Sequence, residues 1–186
     1  FLVLRAGLLP RAGEGTTLVA DATLEASAAS LQVAGHRAHP RHRAIMHTHM
    51  PHATALTMVE GGRLEMAHQT ACRFFGRTVH HDAFGGLALD EAEGEAIAAT
   101  ARENPAADVF FLAHHGVTVG GPTVAHAFDD LYYLERACRQ QILAQSTGRP
   151  LKRLAEEDVR HVARQSAQVF DVQAAEHLEA LRALGI

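Results

Sequence analysis

Two apolar, β-prone runs that each carry histidine constrain this chain more than any other feature. The first is Ala44-Ile45-Met46-His47-Thr48-His49-Met50, and the second is Val109-Phe110-Phe111-Leu112-Ala113-His114-His115-Gly116. Side chains at i and i+2 leave the same face of a strand. His47 and His49 are therefore expected on one face, with ring nitrogens near enough to share a cation. The second run stops at a histidine followed by glycine, which would bring a third imidazole, His115, to the end of a neighbouring strand. Three neutral nitrogen ligands leave a coordination position open, as in catalytic rather than structural metal sites. The chain holds 14 histidines in 186 residues, so a lone His-x-His is weak. What strengthens the pair is its setting: imidazoles beside Ile45 and Met46 in a buried strand need partners.

The remaining pattern alternates strands and helices along one continuous chain, which implies a layered α/β domain. Strands are expected at Phe1 to Leu4, Thr17 to Ala20, Leu64 to Met66 and Arg77 to His80. A helix with Leu24, Ala28, Leu31 and Ala34 at helical spacing runs from about Asp21 to Ala38 and ends at Pro40. Ala53 to Glu60 continues from the histidine strand as a short helix or strand. Asp90 and Glu93 form a capping box for a helix that stops before Pro105. Pro122 suits the first position of a long helix ended by Gly148 and Pro150. From Glu156 onward two helices are expected, separated near Phe170 and Asp171.

Mass and charge narrow the partners. At 20.0 kDa, residues 1–186 read as one domain. The net charge of −4 comes with no basic stripe, so nucleic acid is not an expected partner. No apolar run is long enough to span a bilayer, and no membrane partner is expected. Cys72 and Cys138 lack metal-ligand spacing and read as buried thiols in a reducing compartment, which suggests a cytoplasmic location. Phe1 opens directly on a strand, so a segment is expected to be missing upstream.

Four ordered pieces go further: AIMHTHMPHATAL (44 to 56), RFFGR (73 to 77), FGGLALDEAEGE (84 to 95) and FLAHHGVTVGGPTVAHAFDDLYYLERAC (111 to 138). Through them the chain resembles the class II aldolase/adducin family, from about Asp21 to Pro150. The resemblance implies a three-layer α/β/α sandwich with a central, largely antiparallel sheet. It also implies a homo-oligomer, often a tetramer, and a single domain lacking the family's N-terminal segment. It places the family's metal ligands on His47, His49 and His115. His114 falls one residue off, where strand alternation would turn it to the other face. There are departures as well. The sugar-phosphate aldolases of the family carry a metal-binding or basic glutamate on the preceding helix, where this chain has Ala28, with Glu25 a turn away. Their phosphate-binding serines have no clear match around Ala26-Ser27, and their proton-donating tyrosines are missing. Tyr132 and Tyr133 lie on the long helix and read as packing residues.

A divalent ion on these histidines, Zn2+ first and Mn2+ or Fe2+ as alternatives, could chelate a hydroxy-carbonyl or keto-acid oxygen pair. It would stabilise an enediolate while a carbon–carbon bond breaks. The expected function is a metal-dependent lyase (aldol cleavage or decarboxylation) on a small hydroxy- or keto-acid or sugar derivative. The alternatives are an Fe(II) oxygenase and a non-catalytic adducin-like assembly module, a branch that lacks the metal histidines. His81, Asp82 and His68 are candidates for the acid or base that must move the proton. His52 is a candidate second-layer partner of a ligand histidine. His36, His39 and His42 read as a solvated helix end, and His126, His161 and His177 as surface residues. Asp129, Asp130 and Glu135 could reach a neighbouring subunit.

Overall fold

The computed structural model describes residues 35–86 and 91–184. The strands expected at Phe1 to Leu4 and Thr17 to Ala20, Glu25, Ala28 and the Asp90 cap lie outside these residues. Four strands form one sheet: β1 (Ala44–Thr48), β2 (Thr78–His81), β3 (Val109–Leu112) and β4 (Gly116–Gly121). Their order across the sheet is β1-β4-β3-β2. β1 and β3 both run antiparallel to β4, and only β2 pairs parallel, with β3. The sheet is therefore largely antiparallel, as the resemblance implied.

Strand alternation sorts the apolar residues into two layers. Ala44, Met46, Val109, Phe111, Val117 and Val119 face the larger core, which helices α1 (Pro51–Thr57), α2 (Gln69–Cys72) and α4 (Val124–Gln145) complete. Phe110 and Leu112 face the other way and pack with Val79, Ala38, and Ile97 and Ala101 of α3 (Glu91–Glu103). Helices on both faces make this a three-layer α/β/α sandwich. The last helix, α5 (Glu156–Ala183), lies outside α4 and α2. No helix among the described residues is long and apolar enough to cross a membrane. Cys72 and Cys138 are buried free thiols.

Several expectations fail for identifiable reasons. Residues 64–66 form no strand, because their neighbourhood bonds elsewhere. Glu65 N–H donates to the Gln141 side chain at 2.7 Å, and the Met66 carbonyl accepts from Leu154 N–H at 2.9 Å. Thr123, not Pro122, starts α4, its hydroxyl capping the N–H of His126. The two helices expected after Glu156 are one helix of 28 residues. No Gly or Pro interrupts it, and Phe170 is a docking point, its ring under the Arg73 guanidinium at 4.4 Å.

His36, His39 and His42 are not solvated but buried. His36 Nδ1–H donates to the His42 carbonyl at 2.8 Å, and His39 Nε2–H to the Ala101 carbonyl at 2.6 Å. His42 contacts Asp108 at 2.8 Å. Burial holds the His42 pKa below its usual value despite that carboxylate. Burial pushes Asp108 up, but His42 and Arg77 outweigh it and hold its carboxyl at about 2. His126 and His177 are likewise not free surface residues: they pair with Asp171 and Asp129, each at 2.7 Å.

Asp129 and Asp130 point inward rather than toward a neighbour. Arg73 bonds both carboxylates, and Arg77 bridges Asp130 at 2.5 Å and Asp108 at 2.7 Å. These charges clamp α4 and α5 to one end of the sheet. Removing one partner strands the others in a buried setting. D130A is expected to lose about 3–5 kcal/mol of unfolding free energy in urea titration, and a loss below about 1 kcal/mol would refute the clamp.

Candidate metal centre

The register of β1 against β4 builds the histidine cluster. Ile45, His47 and, by continuation, His49 share a face with Gly120, Thr118 and Gly116 of β4. His115 does not end a strand as expected. It lies in the tight turn between Leu112 and Gly116, where His114 takes a left-handed backbone with φ 55°. That turn, rather than strand alternation, sends His114 away from the cluster, toward Phe84.

One potential ligand atom from each of His47, His49 and His115 lies within 4.8 Å of the others. The Val117 carbonyl accepts from His47 Nδ1–H at 3.1 Å, which leaves the His47 Nε2 lone pair facing His49 Nε2 at 3.1 Å. Two imidazole nitrogens on one tetrahedral zinc sit about 3.3 Å apart, given Zn–N bonds near 2.0–2.1 Å. Burial, with the neighbouring His115 and His49, lowers the His47 pKa to about 4, against the Val117 hydrogen bond. The His47 ring is thus neutral at neutral pH, as a metal ligand must be, and the donor set fits a divalent cation. His49 is exposed and the other two half-buried, so the cluster opens to solvent.

Glycine at 116 is a steric requirement. A Cβ there would meet the Thr48 carbonyl oxygen at 2.5 Å and His49 Cδ2 at 2.8 Å. The His-His-Gly order in the sequence thus gives a histidine of the cluster and, next to it, the bare backbone on which the His49 ring rests.

The proton-transfer candidates disperse. His81 shares the face of the cluster and lies in one row with Leu112 and Gly116. Three strand spacings, about 14 Å, separate that position from His49. Its Nδ1 bonds the Thr100 hydroxyl at 2.8 Å, and its buried Nε2 has no partner. Asp82 is exposed and paired with Arg63 at 2.7 Å. His68 turns to the helix layer, where its Nε2–H donates to the Ala137 carbonyl at 3.3 Å. The His52 ring bonds Glu135 through Nδ1 at 2.6 Å rather than a histidine of the cluster.

Sequence reasoning passed over His80. It stacks flat on Phe111, ring centroids 4.5 Å apart, and lines a recess of about 450 Å3 with Asp82, His114 and the 57–63 turn. Its place beside His81 in an alternating strand was the available signal.

Residues 13–142 match the family described as Class II Aldolase and Adducin N-terminal domain. The chain belongs to the class II aldolase/adducin family. This class II aldolase/adducin domain is 32% identical over 115 residues to the decarboxylase NovR of Streptomyces niveus, covering 62% of this chain and 41% of that protein. It is 30% identical over 117 residues to beta-adducin of Homo sapiens, covering 63% and 15%. A crystal structure of an aldolase II superfamily protein from Pseudomonas syringae superposes with TM-score 0.78 at 30% identity, covering 91% of this chain and 67% of that one. The chain spans less than half the length of the curated relatives it matches.

Two expectations follow for the class II aldolase/adducin domain. G116A should weaken binding of added Zn2+ at least about tenfold, because the His49 ring must move; unchanged affinity in calorimetric titration would refute the steric role. Burial, then the Arg63 charge, lowers the His80 pKa to about 4, while the unfolded imidazole titrates near 6.5. Between these values the unfolded state binds more protons, so stability falls as pH drops from about 6.5 toward 4. H80F should flatten that slope in urea titrations at successive pH values, and an unchanged slope would exclude His80 as a source.

Proposed function

We propose that this chain is a metal-dependent lyase that breaks a carbon–carbon bond beside a carbonyl, by aldol cleavage or decarboxylation. Its substrate is a small hydroxy- or keto-acid or a sugar derivative. The carrying observation is the convergence of His47, His49 and His115, with ligand atoms within 4.8 Å of one another. We assign these three as the ligands of a divalent cation, zinc first given the all-nitrogen donors, with manganese or iron as alternatives. Bound there, such a cation supplies Lewis-acid stabilisation of the negative charge that develops on a substrate oxygen.

The residues of the chain do the rest. The Val117 carbonyl holds His47 in the tautomer that offers Nε2. The exposed side of His49 leaves an approach for a chelating oxygen pair. His81 and Asp82 are the proton-handling candidates that the sequence offers, and neither stands beside the cluster. His68 is engaged with α4 and is assigned no part in the reaction. A homo-oligomer, with a tetramer as first choice, and a cytoplasmic location belong to the same reading.

Two competitors draw on specific observations. Three imidazoles with open positions also suit a ferrous oxygenase, and the similarity to beta-adducin favours an assembly module. Elemental mass spectrometry of untagged protein is expected to find about one zinc, manganese or iron per chain, lost in H47A/H49A. A panel of hydroxy- and keto-acids should be cleaved without oxygen consumption. Oxygen uptake coupled to turnover would select the oxygenase. Absence of metal, with no uptake of zinc, manganese or ferrous iron, would overturn the enzyme.

A further inference from the structure

His49 sits in a joint between strand and helix. β1 ends at Thr48 and α1 begins at Pro51. A helix start exposes backbone N–H groups that need acceptors, and α1 has no cap of its own. Met50 at its N-cap offers no side-chain bond, and its first turn carries no acid. Pro51 has no N–H to satisfy, and Thr54 N–H reaches the Met50 carbonyl at 2.8 Å. Within the first turn of α1 itself, two donors remain, on His52 and Ala53.

Both go to one carboxylate, which comes from α4. Glu135 Oε1 accepts from His52 N–H at 3.0 Å, and Oε2 accepts from Ala53 N–H at 2.9 Å. The His52 ring adds a third bond, Nδ1 to Oε1 at 2.6 Å. Glu135 therefore completes the donor accounting of the α1 start, with its negative charge at the positive end of the helix. α4 packs against β1 and β4 as well, so this carboxylate ties the joint to the element that backs the histidine strands.

We propose that Glu135 is a positioning residue for the histidine cluster. It fixes residues 49–53 and thereby the direction in which His49 offers Nε2 to His47 and His115. The proposal rests on the reading of those histidines as a metal site. The chemistry calls for a carboxylate in particular. A glutamine would present one oxygen and one NH2 group, placing a donor against a backbone donor and removing the charge.

The test uses Co2+ as the metal probe, read by calorimetry and visible absorption, with amide hydrogen exchange over residues 49–57 as a metal-free readout. E135A is expected to weaken Co2+ binding about tenfold or more and to speed exchange in that segment, and E135Q to do both to a smaller extent. Should E135A fail to fold, E135Q carries the test. V159A is the control: Val159 is buried on α5, so its truncation should lower the melting temperature while leaving the Co2+ affinity alone. Wild-type affinity and exchange in E135A and E135Q would overturn the proposal and leave the proposed function standing. Equal weakening of Co2+ binding by V159A at a matched loss of melting temperature would also overturn it, by reducing Glu135 to a stabilising residue. A wild-type protein that binds no Co2+ would overturn the proposed function and this inference together.

Discussion

The antiparallel pairing of β1 with β4 joins His47 to Val117, which lie 70 residues apart in the chain. All else at the candidate site depends on the register of that pairing. Because side chains alternate, a slip by one residue would turn His47 and His49 toward the larger core and expose Met46. The register is held from both ends by close approaches to bare backbone. A Cβ on Gly120 would fall 2.2 Å from His42 Nδ1, and one on Gly116 would fall 2.8 Å from His49 Cδ2. The glycines of β4 are thus seats for histidine rings, one structural and one at the cluster.

The two ends of the sheet divide the work. At the end where β4 finishes and β3 starts, Arg73, Arg77, Asp108, Asp129 and Asp130 form a charged clamp that anchors the helices, with His42 tied in through Asp108. At the opposite end the backbone turns tightly through residues 113–115 and exposes the cluster. Removing one partner of such a buried network leaves the others without a counter-charge, so its members hold one another in place. Here they fix the frame against which the β1–β4 register is set.

The histidine strand and the alternation of apolar residues were legible in the sequence because each is local or periodic, and the second histidine run with the family resemblance pointed to the third imidazole. The position of His115 was only half legible: the sequence marks the end of an apolar run, but not that a left-handed residue at His114 converts that end into a hairpin. His36, His39 and His42 were misread because their Arg-rich surroundings suggest solvent, whereas the acceptors that allow burial come from Ala101 and Asp108, far along the chain. Glu135 and Gln141 were hidden for the same reason. Each satisfies backbone donors on segments more than 70 residues away, and no local pattern encodes such a partner. The unbroken α5 was missed because an aromatic and an acid at mid-helix look like a boundary until their docking partners are seen.

Relatives of about 30% identity include one named a decarboxylase and one named beta-adducin, so family membership alone does not separate an enzyme from an assembly module. The histidines of this chain fall into two settings. His36, His39 and His42 each give a ring nitrogen to a carbonyl or carboxylate, which is how a scaffold uses a buried imidazole. His47 spends Nδ1 that way and turns Nε2 toward a second imidazole nitrogen, at a pKa of about 4. The two nitrogens lie 3.1 Å apart, a gap that also matches two imidazole ligands of one cation. The proposed metal-assisted reaction rests on that arrangement, because it needs ring nitrogens that converge on one point.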